Sequence, residues 1–145
     1  MNELDIIAPC GLNCLKCINN KNGKIKLHAD ELSRQLNGFS KYAERFAGFD
    51  EIFTNYPQFE AFLQFLTRVD CEGCRKNGCR FALCKVNECC KGKDIDFCYE
   101  CEEFPCDKSG FPDELKKRWV GFNSRIKEIG LKAFIEETKD APRYN

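Results

Sequence analysis

Histidine is nearly missing from this chain of 145 residues: His28 is its one imidazole. With no second histidine and no Ser-centred motif, a Cys/His nucleophilic pair has little support, and His28, placed before a helix, reads as a surface residue. Charge of either sign in excess is also lacking. Lys+Arg and Asp+Glu each number 23, so the formal net charge is zero, and the basic surplus that draws a chain onto nucleic acid is absent. No apolar run approaches the roughly 18 residues of a membrane span. The N-terminal Met1-Asn2-Glu3-Leu4-Asp5 is acidic and only Ile6-Ile7-Ala8 follows before Pro9. A secretory signal has a basic start and an apolar stretch of about 7–15 residues, so a cytoplasmic location is expected. There is no internal repeat of solenoid length, no low-complexity linker, no Gly-rich phosphate loop and no paired-carboxylate constellation.

What the chain does have is cysteine: 12 in 145 residues, together with 13 Phe and a hydrophobic content of 43%. A cytoplasm keeps thiols reduced, so tight Cys spacings there point to metal binding or redox chemistry rather than structural disulfides. The cysteines fall into two blocks, Cys10/Cys14/Cys17 and nine from Cys71 to Cys106. The stretches between and after them carry helical periodicity. Asp30 is a plausible N-cap, and Leu32, Leu36, Phe39, Ala43 and Phe46 recur at +4, +3, +4, +3, with Gly38 as a possible break. Pro57 suits a first helical position, and Phe59, Phe62, Leu63, Leu66 and Val69 give a second amphipathic stripe. From Pro112, Leu115, Trp119, Phe122, Ile126 and Ile129 make a third, which Gly130 interrupts before Leu131, Phe134 and Ile135. These stripes predict core. The pattern predicts a single mainly α domain over 1–145, with little or no β, whose helical segments at about 29–69 and 112–139 surround an irregular Cys-rich metal-binding module formed by 10–17 and 71–106.

That module cannot fold on burial alone. Its 71–106 block has few large apolar residues and is broken by Gly73, Gly78 and Gly92. Ordering each residue costs about 1–2 kcal/mol of backbone entropy, whereas a structural zinc ion supplies on the order of 10–16 kcal/mol. Cys71-Glu-Gly-Cys74 and Cys98-Tyr-Glu-Cys101 are Cys-x2-Cys pairs, the spacing at which one turn aims two thiolates at one ion; Gly73 would supply the positive φ such a turn needs. Cys79, Cys84, Cys89, Cys90 and Cys106 complete the block. Cys10-x3-Cys14-x2-Cys17 has the three-cysteine spacing of the radical-SAM superfamily, but a (β/α) barrel typically needs about 200 residues or more. The triad therefore reads as a closed structural site completed by a distant cysteine, with Cys106 the favoured fourth ligand, and a triad with an open position is the alternative. Zinc is preferred to iron–sulfur because no Cys-x2-Cys-x2-Cys-x3-Cys-Pro run occurs. Arg75, Lys76, Arg80 and Lys85 either offset the charge of such sites or are solvated surface residues.

The segments Cys10-Gly-Leu-Asn-Cys14-Leu-Lys-Cys17, Cys71-Glu-Gly-Cys74-Arg75 and Cys98-Tyr-Glu-Cys101-Glu-Glu-Phe-Pro-Cys106 resemble the signature of DUF3795, a family of small prokaryotic cysteine-rich proteins of unknown function. Cys84-Lys-Val-Asn-Glu-Cys89 is similar to the family's Cys-x-Ile-Arg-x-Cys, with Asn87 where Arg is usual and Cys90 where Ala is usual, which makes Cys90 the expected non-ligand. The resemblance implies a cytoplasmic metal-binding protein and supplies no activity. The metal ligands expected are thus Cys10, Cys14, Cys17, Cys71, Cys74, Cys79, Cys84, Cys89, Cys98, Cys101 and Cys106, holding two or three zinc ions in a mainly structural role within a binding or adaptor module. No partner is identified, and a protein is the candidate class. Nucleic acid is disfavoured, since residues 71–108 hold seven Lys/Arg against eight Asp/Glu. The rival is an Fe–S or thiol redox enzyme that uses the Cys10/Cys14/Cys17 triad.

Overall fold

The computed structural model describes residues 2–145. Its helices run in the order α1 Glu3–Ile6, α2 Lys24–Gln35, α3 Ala43–Ala47, α4 Tyr56–Thr67, α5 Cys74–Asn77, α6 Val86–Lys93, α7 Asp113–Ile129 and α8 Leu131–Thr138. Among the described residues there is no sheet, and strand-like pairing is limited to isolated bridges between Ile7 and Asn13 and between Asn20 and Cys71. The mainly helical class that the periodicities predict is the one observed. Where the pattern predicts one domain, the contacts group the chain into two compact units, Met1–Cys17 with Glu72–Asn145, and Ile18–Cys71.

The Ile18–Cys71 unit is built on α2 against α4. The helix expected from Asp30 begins earlier, after Gly23, because Asp30 accepts an ion pair from Lys26 one turn back at 2.8 Å and so continues a helix rather than opening one. Gly38, at φ 83°, ends that run as expected, and Pro57 lies in the first turn of α4. Phe39 meets the rings of Tyr56 at 4.8 Å and Phe46 at 5.1 Å. The second stripe is core only in part: Leu63 and Val69 are buried, while Phe59 and Phe62 are exposed, since a unit this small has too little interior for so many rings.

The other unit carries the third stripe as expected. On α7, Trp119 and Ile126 are buried, Asp113 and Glu114 occupy the first turn where the helix dipole favours them, and Gly130 at φ 84° separates α7 from α8. Two apolar clusters result. One gathers Ile7, Phe97, Ile126 and Phe134. The other is made largely of thiols and joins Cys10, Cys14, Cys90 and Cys98 to Ala8, Val86 and Trp119. The 71–106 block is irregular but holds α5, α6 and a short 3-10 turn at Cys98–Glu100.

Gly11 fixes how the N-terminal cysteines meet α7. Its amide donates to the Ala8 carbonyl at 2.8 Å while Ala8 N–H donates to the Leu12 carbonyl at 2.9 Å, a turn that needs the positive φ of 87° at Gly11. A Cβ there would sit 2.4 Å from Phe122 Cβ, a clash with a helix that cannot retreat. Gly11→Ala should lower stability by about 2–4 kcal/mol, overpacking and left-handed strain adding together. Urea denaturation followed by Trp119 fluorescence reports on this unit directly, and an unchanged midpoint would refute the assignment.

Candidate thiol-rich site

Five thiols from two separated segments, 10–14 and 74–84, converge in this unit. Cys10 follows Pro9 into the Gly11 turn. Cys14 opens a 3-10 turn capped by Asn13, whose Oδ1 accepts the Leu15 amide at 2.9 Å. Cys74 opens α5 directly after Gly73, where the expected positive φ is present at 112°; a Cβ on Gly73 would lie 3.6 Å from Cys14 Cβ and 3.8 Å from its Sγ. These are ordinary contact distances, so it is the positive φ rather than lack of space that calls for glycine at the point where Cys74 turns toward Cys14. Cys79 follows Gly78, another positive-φ residue, and Cys84 ends a turn in which its amide donates to the Phe81 carbonyl at 3.0 Å. Cys10, Cys74, Cys79 and Cys84 line one cavity of about 280 Å³.

Electrostatics order these thiols into donors and acceptors of a proton. Cys74 keeps its proton and turns it toward Cys14 and Cys79, so its own pKa rises. Cys14 is held below the ordinary thiol value by Cys74, and Cys79 is lowered by Cys74 and then Cys84. Cys84 is raised by Cys79. Burial pushes Cys10 up to about 12. The guanidinium of Arg143 favours the anionic form of Cys10, Cys14 and Cys79. The shifts alternate in direction along the row, as mutual hydrogen bonding between identical groups produces.

A second group forms around a small cavity of about 20 Å³ lined by Cys89, Cys90, Cys98, Cys101, Cys106 and Trp119. Cys90 Sγ lies 3.6 Å from Cys98 Sγ. Cys98 is lowered by Cys90 foremost, and Cys90 is raised by it. The buried indole N–H of Trp119 lies against Cys98 and adds to its lowering, with no other partner among the described residues. At the exposed end Lys93 Nζ donates to Cys101 Sγ at 3.0 Å and lowers that thiol.

The expected ligands are therefore sorted in an unexpected way. Cys10 and Cys14 share their surroundings with Cys74, Cys79 and Cys84, while Cys106, favoured as their fourth partner, lies with Cys98 and Cys101. Cys17 is met by the Tyr144 hydroxyl at 4.0 Å instead of joining the row. Cys71 belongs to the other unit, where its carbonyl accepts the Lys21 amide at 2.9 Å and its amide donates to the Asn19 carbonyl at 3.1 Å. Cys90, expected as a non-ligand, is buried together with Val86 four residues back on α6 and packs in the thiol-rich cluster; that helical interval was the sequence signal for its burial. His28 lies on α2 rather than before a helix and is exposed. Arg75 is neither free counter-charge nor solvated: its Nε donates to the Ile7 carbonyl at 3.1 Å and its guanidinium lies 4.9 Å over the Phe97 ring.

By donor chemistry both groups suit a soft ion, since they consist of sulfur with no histidine. By spacing they do not yet enclose one: among the described residues no three His, Cys, Asp or Glu side chains are gathered so as to hold an ion. Asn123 holds the two groups in register. Fully buried on α7, it donates from Nδ2 to the Pro9 carbonyl at 3.3 Å and the Trp119 carbonyl at 3.2 Å, and its Oδ1 accepts the Tyr99 amide at 3.1 Å. One bond lands beside Cys10 and another beside Cys98.

A helical scaffold around two thiol groups defines a cysteine-rich protein of the kind the motifs suggest. The chain belongs to the family described as Protein of unknown function (DUF3795), whose model matches residues 6–110. No curated protein and no solved structure matches it. Asn123, Arg118 and Arg143 all lie beyond the matched span. Asn123→Ala would leave the Tyr99 amide and the Pro9 carbonyl without partners, each at a cost of about 1–3 kcal/mol; the unfolding free energy should fall by about 2–4 kcal/mol in chemical denaturation, and a loss under 1 kcal/mol would show that Asn123 does not hold the site.

Proposed function

We propose that this protein binds metal through its cysteine thiolates, two or three zinc ions in a mainly structural role, and serves in the cytoplasm as a binding or adaptor module. The observation that carries this reading is the row Cys14, Cys74, Cys79 and Cys84, four thiols from two distant stretches of chain linked by mutual hydrogen bonds, with Cys10 beside them. Thiols crowded in this way repel one another once ionised, and an ion that takes them as thiolates removes that penalty. Binding would release protons and turn the thiols from one another onto the metal. Zinc fits the all-sulfur donor set and would act by fixing the segments, with no reaction of its own.

Elemental analysis of the full chain purified under reducing conditions tests the proposal. Two or three zinc per chain are expected, with less after Cys14→Ser, Cys74→Ser or Cys79→Ser; Cys90→Ser should leave the content unchanged if Cys89 is the ligand and lower it if Cys90 has taken that place. A strong chelator should expose residues 71–106 to protease. A chain free of metal, or a block equally resistant after chelation, would overturn the reading.

One observation favours a second reading, an Fe–S or thiol redox enzyme: Cys79, a thiol lowered by its neighbours, lines an open cavity where a reactant could meet it. Brown protein with absorbance near 400 nm under anaerobic purification would support the Fe–S form, and colourless protein zinc.

A further inference from the structure

The cavity beside the first thiol group has a wall that metal binding leaves unexplained. Apart from the cysteines it is lined by apolar side chains, among them Phe81, Phe111 and Leu115, with four residues that carry polar groups: Asn87, Arg118, Arg143 and Tyr144, whose hydroxyl lies toward Cys17. No carboxylate lines it. Neither guanidinium is paired with an acid among the described residues; Arg118 donates to the Arg143 carbonyl and lies 5.5 Å over the Phe122 ring, and Arg143 donates to the Asn13 carbonyl at 2.7 Å. Each has donors to spare, since a guanidinium carries five N–H groups. Arg143 serves the thiols in part, but Arg118 is not among the main charges acting on them. Asn87 is the sharper clue. It is 92% buried, its relative exposure being 8%, and its side chain makes no hydrogen bond among the described residues. Its amide is not among the buried unpaired atoms, so the polar end of an otherwise buried residue stays accessible at the cavity wall, placed to bond what enters there.

We propose that this cavity binds a small organic anion with an aromatic-sized apolar body, the anionic group held by Arg118 and Arg143 and a polar edge by Asn87. An apolar cavity of about 280 Å³ with a few convergent polar groups has the make-up of a small-molecule site. Two cations with no acid nearby select negative charge, and the forked guanidinium suits a carboxylate. The proposal does not rest on the thiols being metal ligands.

Isothermal titration calorimetry of the full chain with 2-naphthoate, and with the uncharged 2-naphthalenemethanol as its counterpart, tests it. Naphthoate should bind at least tenfold more tightly than the alcohol. Arg118→Gln should weaken naphthoate about tenfold and change the alcohol less than twofold, with folding checked by circular dichroism, while Asn87→Ala should leave naphthoate within twofold and weaken 6-hydroxy-2-naphthoate, whose hydroxyl supplies the polar edge, about tenfold. Should Arg118→Gln fail to fold, Arg118→Lys, which keeps the charge and loses the fork, should give an intermediate affinity. Leu115→Trp should block both probes by filling the cavity. Absence of naphthoate binding, equal affinity for the two probes, or binding that survives Leu115→Trp would overturn the proposal, as would binding lost in Phe62→Ser, which would place the probe on the exposed rings of the Ile18–Cys71 unit.

Discussion

One buried amide governs the larger unit. Asn123 sits in the middle of α7 with its side chain sealed from solvent, and it is bonded to Pro9, Trp119 and Tyr99. A side chain amide in an apolar core is costly unless it is satisfied, and here the satisfaction comes from backbone groups of two loops that have no regular structure of their own. The loops are therefore positioned by hydrogen-bond geometry, which is directional, rather than by apolar contact, which is not. Both thiol groups inherit their placement from that one residue.

Cysteine plays two parts in this architecture. Cys10, Cys14, Cys90 and Cys98 pack beside Trp119 as small apolar side chains would, so they are core whether or not they bind anything. Cys74, Cys79, Cys84, Cys101 and Cys106 stay partly exposed at cavity walls. A core that is half thiol has less apolar area per residue than one of Leu and Ile, and the stability that burial leaves wanting is the physical reason for expecting a metal. In each group a buried thiol lies beside an accessible one, so that ligation and packing draw on the same side chains.

Much of the fold was legible because helical periodicity is a local property. The stripe from Leu115 to Ile129, the break at Gly130 and the positive φ at Gly73 all follow from residues close in sequence. The early start of α2 was missed although Ile25, Ala29, Leu32 and Leu36 recur at +4, +3, +4, because Asp30 suits an N-cap as well as an exposed helical position. The exposed rings of α4 were hidden for a different reason: a stripe shows which residues share a face and not whether anything covers it. For the site, spacing identified which residues are special but not how they are grouped. Cys-x2-Cys is a statement about one turn, whereas the company that Cys10 keeps with Cys79 and Cys84 is decided by Gly11, Gly73 and Asn123 acting at a distance. Arg118, Arg143 and Asn87 left no trace in the pattern because an isolated polar residue looks the same in a loop as in a cavity wall.

The end of the chain after α8 is held in an unusual manner. Lys16 Nζ donates to the carbonyls of Thr138 and Ala141, Arg143 donates to the carbonyl of Asn13, and the Arg143 carbonyl in turn accepts from Arg118. Most of these contacts read the backbone of the tail and ignore its side chains. Such a fastening is indifferent to composition but exact about length: Lys139, Asp140, Ala141 and Pro142 could be exchanged for other residues at small cost, while the gain or loss of a single residue between Thr138 and Arg143 would carry the guanidinium away from the thiols. The tail thus works as a ruler, and natural variation in this segment should be rich in substitutions and poor in insertions.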